Sequence, residues 1–154
     1  MEKKKKIGVS ACLLGNRVRY DGKEKGNPDV MRIVEKAEVY VLCPEVFGGL
    51  PVPRIPAERK SGRIIRKDGV DVTAQYMDGS RICLDILVKN NIGAVVLKQR
   101  SPACGSRMIY DGSFSGKRIC GMGVFAELCK GMGICVFDET ETDAIERYLE
   151  AEDD

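Results

Sequence analysis

Seven cysteines and no histidine set the chemistry open to this 154-residue chain. Without an imidazole there is no Ser-His-Asp or Cys-His nucleophile, no His-bearing zinc site and no Rieske centre. Reactions are left to thiolates, carboxylates, hydroxyls, cations or a bound cofactor. None of the cysteines forms a C-x-x-C pair, so zinc-ribbon and thioredoxin-type readings lack their signature. Three of the thiols follow apolar runs. Cys12 ends KIGVSAC, Cys43 ends EVYVLC and is followed by Pro44-Glu45, and Cys104 lies in Ser101-Pro102-Ala103-Cys104-Gly105, just beyond GAVVLK. In a parallel α/β sheet the loops at the carboxyl ends of the strands form the ligand site. Cys12, Cys43 and Cys104 are therefore expected on one edge, although they are far apart in sequence. Cys83 and Cys129 fall on apolar helix positions and Cys135 lies between Ile134 and Val136, so these three read as core. Cys120, ahead of Gly121-Met122-Gly123, is left open as a further approach to the site.

The elements that must position these residues are legible from periodicity. Strands are expected over residues 6–12, 38–43, 93–98 and 133–137. Between them lie a short helix from Asn27-Pro28 with Val30, Ile33 and Val34 inward, a longer one over 73–90, and one over 123–130. On the longer helix Tyr76, Ser80, Cys83, Leu84, Leu87 and Val88 share a face. A last helix spans 140–150, with Thr140 as N-cap and Glu141 and Asp143 at the positive end of its dipole. Near-continuous apolar strands alternating with helices predict an α/β fold, a single domain over residues 1–154. Its core is a Rossmann-like sheet of about four mainly parallel strands with helices on both faces. The stretch 44–71, with Pro51, Pro53 and Pro56, reads as a structured loop leading to a hairpin turn at Lys67-Asp68-Gly69.

Charge excludes more than it selects. A net charge of +2 gives no broad nucleic-acid footprint, and no apolar run is long enough to span a bilayer. Residues 1–5 read as a basic, flexible tail, and the run before Cys12 is too short for an export signal, so the expected location is cytoplasmic. From Arg54 to Lys67 six cations face only Glu58, either a solvated loop or a lid that collects a phosphate. Gly112 to Lys117 fails as a Walker loop, having three residues between its glycines and Arg118 in place of Ser or Thr. Gly121-Met122-Gly123 reads as a closely packed helix start, and Asp21 and Asp111, each in Tyr-Asp-Gly, as turn residues.

Five blocks in order, SACLLGNRVRYDG (10–22), CPEVFGGLPVPRIPAE (43–58), DVT (71–73), LKQRSPACG (97–105) and IYDGSFSGKRICGMGV (109–124), resemble the family once called domain of unknown function 523. Its characterised members are thiouracil desulfidases of the TudS type. The resemblance implies a [4Fe-4S] cluster held by Cys12, Cys43 and Cys104 with one iron not bound by protein. It also implies a catalytic acid or base at Glu45 and a hydroxyl at Ser101. Cys120 matches no ligand of the family.

Chemistry is consistent with that implication. Three thiolates leave one iron of a cubane able to act as a Lewis acid, and a thiocarbonyl sulfur is a soft donor matched to it. Water adding at the C=S carbon then gives the oxo product and sulfide without net redox. Expected substrates are 2-thiouracil, 4-thiouracil or 4-thiouridine monophosphate, and the partners are small molecules rather than membrane or nucleic acid. Two other readings remain at this stage. One is a non-catalytic iron-sulfur module such as an electron carrier, which needs a fourth protein ligand, with Cys120 the first candidate. The other is an RNA-binding modification factor, against which the near-neutral charge counts.

Overall fold

The computed structural model describes residues 4–15 and 26–151. Four parallel strands form the central sheet: β1 (Lys6–Ser10), β2 (Glu38–Leu42), β5 (Ala94–Leu97) and β8 (Cys135–Asp138), in the order β2-β1-β5-β8. Parallel pairing needs crossovers, and helices supply them: α1 (Pro28–Ile33), α3 (Thr73–Lys89) and α4 (Val124–Gly131), with α5 (Thr142–Glu150) closing the chain. Side chains alternate across the sheet. Val95 and Leu97 join the core under α3 and α4, while Ile7, Val9, Ala94 and Val96 join the one under α1 and α5. Both faces are thus covered, as the apolar strands require.

The chain leaves β1 for β2 on one side and then crosses back to β5 on the other. The ends of β1 and β5 accordingly diverge at a topological switch point, where open α/β sheets bind their ligands. The Ser10 hydroxyl holds the gap by accepting the Lys98 N–H at 3.0 Å. Two antiparallel hairpins lie outside the sheet: β3 (Ala57–Lys60) with β4 (Arg63–Arg66), and β6 (Met108–Tyr110) with β7 (Arg118–Cys120).

Several expectations are corrected. The first strand ends at Ser10, and Ala11–Leu14 winds into a 3-10 turn closed by Gly15 at φ 86°. The loop after Cys43 opens with a helix, α2 (Pro44–Phe47), because Pro44 stands at the first helical position where its missing N–H costs nothing. The regular hairpin turns at Ser61-Gly62, both with positive φ. The turn at 67–69 exists, with the Gly69 N–H on the Arg66 carbonyl, but leads only to the isolated bridge between Ile65 and Asp71. Thr140 does not cap α5; its hydroxyl and N–H turn back to the Asp138 carboxylate, and Glu141 precedes the first turn. Val88 lies beyond the buried face of α3 and is 49% exposed. Cys135 is exposed because it begins β8, an outer strand with a neighbour on one side only. Lys4 and Lys5, read as tail, are tied down: Lys5 donates to the Tyr148 and Ala151 carbonyls and lies over the Tyr148 ring, and Lys4 reaches the Glu35 carbonyl. Asp21 lies outside the described residues.

Close backbone contact places α2. A Cβ at Gly79 of α3 would stand 1.6 Å from the Pro44 carbonyl oxygen. Gly79→Ala must therefore push α2 away from α3 and should cost about 2 kcal/mol or more, in the range of overpacked cores. Gly131→Ala meets nothing within 4 Å at the end of α4 and should be neutral or gain up to about 1 kcal/mol. Urea midpoints of the two variants check the contrast.

Candidate active site

A cavity of about 520 Å³ opens at the switch point. Its wall carries Cys12 from the turn after β1, Cys43 and Glu45 from the start of α2, and Ser101 and Cys104 from the turn after β5. All five residues named from the sequence thus share one cavity. Cys120 is exposed at the end of β7 and does not line it, and the buried Cys83 and Cys129 do not either.

Local backbone chemistry sets each position. Cys43 is the extended residue ahead of α2, and its sulfur faces the N–H groups of Glu45 and Val46 in the first turn. The 101–105 turn closes with Gly105 N–H on the Ser101 carbonyl, and the Ser101 hydroxyl accepts from the N–H groups of Ala103 and Cys104, both at 3.1 Å. That turn also caps α4: the carbonyls of Pro102 and Ala103 accept from Val124, Phe125 and Ala126. Gly123 permits the approach, since a Cβ there would lie 2.3 Å from the Ala103 carbonyl carbon, so its reading as a close-packed helix start holds.

Sequence reasoning missed two members of the site. Arg54 holds Glu45 Oε2 through Nε at 3.0 Å and through a second, shorter bond from Nη2, with the arginine side chain only 7% exposed. Tyr76 donates its hydroxyl to the same oxygen at 3.2 Å, and Ser101 donates to Oε1 at 3.3 Å. No spacing signals the Arg54 contact, and Tyr76 had been assigned to the core on helical periodicity alone. Its ring is indeed buried, but its hydroxyl serves the site.

The basic run from Arg54 to Lys67 is mostly committed. Arg54 is on Glu45, Arg59 on the Met122 carbonyl and Glu127, Arg63 on Asp71, and Arg66 on Asp68. Lys67 and Arg100 line the cavity without an ion-pair partner among the described residues.

A family model described as 2-thiouracil desulfurase matches residues 7–141. The chain belongs to the 2-thiouracil desulfurase family. It is 40% identical over 149 residues to the uncharacterized protein YbbK of Bacillus subtilis (strain 168), covering 90% of this chain and 99% of that one. A solved structure of the [4Fe-4S]-dependent thiouracil desulfidase TudS matches with a TM-score of 0.87 and 41% identity, over 95% of this chain and 98% of that chain. The resemblance read from the five sequence blocks is borne out.

In this family member all seven thiols are free. Burial raises the Cys12 thiol to about 11, with Cys43 and Glu45 adding repulsion that Lys98 partly offsets. Burial likewise raises Cys43, and Cys104 well above the usual range, where the other two thiols and Glu45 add to it. A raised thiol favours its neutral form, and a cationic group that took it as a ligand would lower it again. No three ligating side chains among the described residues converge closely enough to hold one metal ion. Cys12, Cys43 and Cys104 line one cavity wall, and cysteine thiolates are the ligand type that holds iron-sulfur clusters.

The core thiols give a separate test. Burial pushes Cys129 up to about 12 from 9.0. A raised folded-state value means that the unfolded chain loses its proton first, so stability is intact below pH 9 and falls as pH rises toward 12. Cys129→Ala should cost about 1 to 2 kcal/mol at pH 7 through lost packing. That deficit should shrink between pH 9 and 11 in urea titrations, because the alanine variant has no thiol to ionise.

Proposed function

We propose that this protein removes sulfur from a thiolated pyrimidine by a [4Fe-4S]-dependent, redox-neutral hydrolysis. In this reading Cys12, Cys43 and Cys104 hold the cluster, Glu45 handles the proton and Ser101 orients it. The observation that carries the reading is the convergence of three free thiols, Cys104 buried and Cys12 and Cys43 half-buried, with Glu45 and Ser101 on one cavity at the switch point of the sheet. The family and the TudS match support both the activity and the cofactor.

The cluster, when bound, supplies a thiophilic Lewis acid that draws charge from the C=S carbon. The chain's own groups supply the rest. Arg54 and Tyr76 occupy Oε2 of Glu45, so the carboxylate is aimed with Oε1 as its remaining acceptor. Ser101 takes one lone pair there and leaves room for a water. Glu45 Oε1 accepts a proton from that water as its oxygen adds to the carbon, returns it to the departing sulfur, and relays the remaining hydroxyl proton to the sulfur as the carbonyl forms. The sum is C=S plus water giving C=O plus hydrogen sulfide, with no electrons exchanged. Because the Ser101 proton is already given to Glu45 and its oxygen accepts two N–H groups, Ser101 orients the carboxylate and also fixes the Cys104 turn.

An electron-transfer cubane would need a fourth thiolate at the cavity, and Cys120 is not among its lining residues. Among the described residues no helix is long and apolar enough to cross a membrane, and seven free thiols suit a reducing, cytoplasmic setting.

Anaerobic reconstitution followed by sulfide release from 2-thiouracil, 4-thiouracil and 4-thiouridine monophosphate tests the reading. Replacing Cys12, Cys43 or Cys104 with Ser should abolish cluster retention and turnover, while the fold, followed by circular dichroism, persists. Glu45→Gln should keep the cluster and lose about a hundredfold or more in kcat; near-normal sulfide release would show that water is activated elsewhere. Preference for the monophosphate, reduced in Lys67→Ala and Arg100→Ala, would place its phosphate on those two cations.

A further inference from the structure

Phe114 is a bulky residue in an unusual place. It lines the cavity, half-buried, from the loop between β6 and β7, and its backbone is left-handed at φ 58°. Aromatic side chains rarely adopt that conformation, and such residues persist only where their surroundings over-determine them. Here the surroundings do so. Glu58 of β3 accepts from the N–H groups of Gly112 at 3.0 Å and Phe114 at 3.2 Å through a single carboxylate oxygen. Asp111 folds the loop from within by accepting from the N–H and hydroxyl of Ser113. Gly112, at φ 94°, lies against the aliphatic stem of Lys60, where a Cβ would stand 2.6 Å from that side chain. Two hairpins that share no strand are thus clasped together by Glu58, and the clasp presents one phenyl ring at the cavity.

Of the other aromatic rings lining the cavity, Tyr76 is committed to Glu45, and Tyr110 belongs to the regular strand β6 as its last residue. Any pyrimidine, whatever its sulfur position, offers a π-face, and stacking on an aromatic side chain is a sequence-tolerant way to hold it. We propose that the pyrimidine ring of the substrate stacks on Phe114, and that Glu58 is a positioning residue that holds the phenyl group in place. This assignment rests on the thiopyrimidine reading above and adds to it the surface that recognises the ring.

Stacking needs a π-face, whereas a plain hydrophobic plug does not. In the reconstituted holoenzyme Phe114→Leu should raise KM for 2-thiouracil about tenfold, or ~1.4 kcal/mol, with kcat within about threefold, and Phe114→Trp should retain the wild-type KM. Glu58→Ala should raise KM similarly, and Glu58→Gln, which keeps an accepting oxygen, should restore it. The chain contains no tryptophan, so Phe114→Trp also introduces a sole indole, whose emission should be quenched by uracil, the oxo product. A Phe114→Leu enzyme with KM within twofold of wild type, or no quenching by uracil at saturating concentration, overturns the stacking assignment. Unchanged KM in Glu58→Ala overturns the role of Glu58. Quenching requires no sulfide release, so failure of the ring contact and failure of the desulfuration reading are separately visible.

Discussion

Four segments of the chain meet on the carboxylate of Glu45. The residue itself belongs to α2, Arg54 comes from the proline-rich loop, Tyr76 from α3 and Ser101 from the turn after β5. An arginine side chain only 7% exposed has lost most of its hydration, and only well-formed bonds to an opposite charge offset that loss. The pair therefore constrains every segment that contributes to it. Moving α2 would strand the guanidinium, and moving the 101–105 turn would free the Ser101 hydroxyl together with the backbone that carries Cys104.

The sheet supplies the frame within which that carboxylate is useful. Reversal of the strand order between β1 and β5 opens a crevice where three thiols can face one space without any being local to another in sequence. Close contacts without side chains lock the flanking helices: Gly79 lets α3 touch the backbone of α2, and Gly123 lets the start of α4 touch the cysteine turn. The consequence is electrostatic. Burial, mutual proximity and the nearby carboxylate raise the Cys12 and Cys104 thiols above the ordinary range, which favours their neutral form.

Charge in the 54–67 segment shows how far context governs meaning. Six cations and one anion look like an anion-collecting lid, yet four of the arginines are engaged by Glu45, Glu127, Asp71 and Asp68. Arg54 and Arg59 tie the segment to Glu45 and Glu127, Arg63 and Arg66 pair locally with Asp71 and Asp68, and among the described residues the cations lining the cavity without an ion pair are Lys67 and Arg100, the second from a different part of the chain.

The four strands and the helices between them were legible in the sequence because burial on both faces writes itself as near-continuous apolar runs, and helical burial as a 3.6-residue period. The convergence of Cys12, Cys43 and Cys104 was legible for a topological reason: in a parallel sheet, residues just past the strands lie at the same edge. Boundaries that depend on single capping contacts were not, and Thr140 and the 61–62 turn moved accordingly. Cys135 was misread because an apolar neighbourhood in sequence does not tell an inner strand from an outer one. Arg54, the Tyr76 hydroxyl and the Glu58 clasp on Phe114 had no periodic or spacing signature, since each joins side chains from separate segments. Sequence determined which residues reach the edge of the sheet; only the tertiary structure decided what they touch there, because long-range polar contacts depend on how loops fold over the sheet and not on any local period.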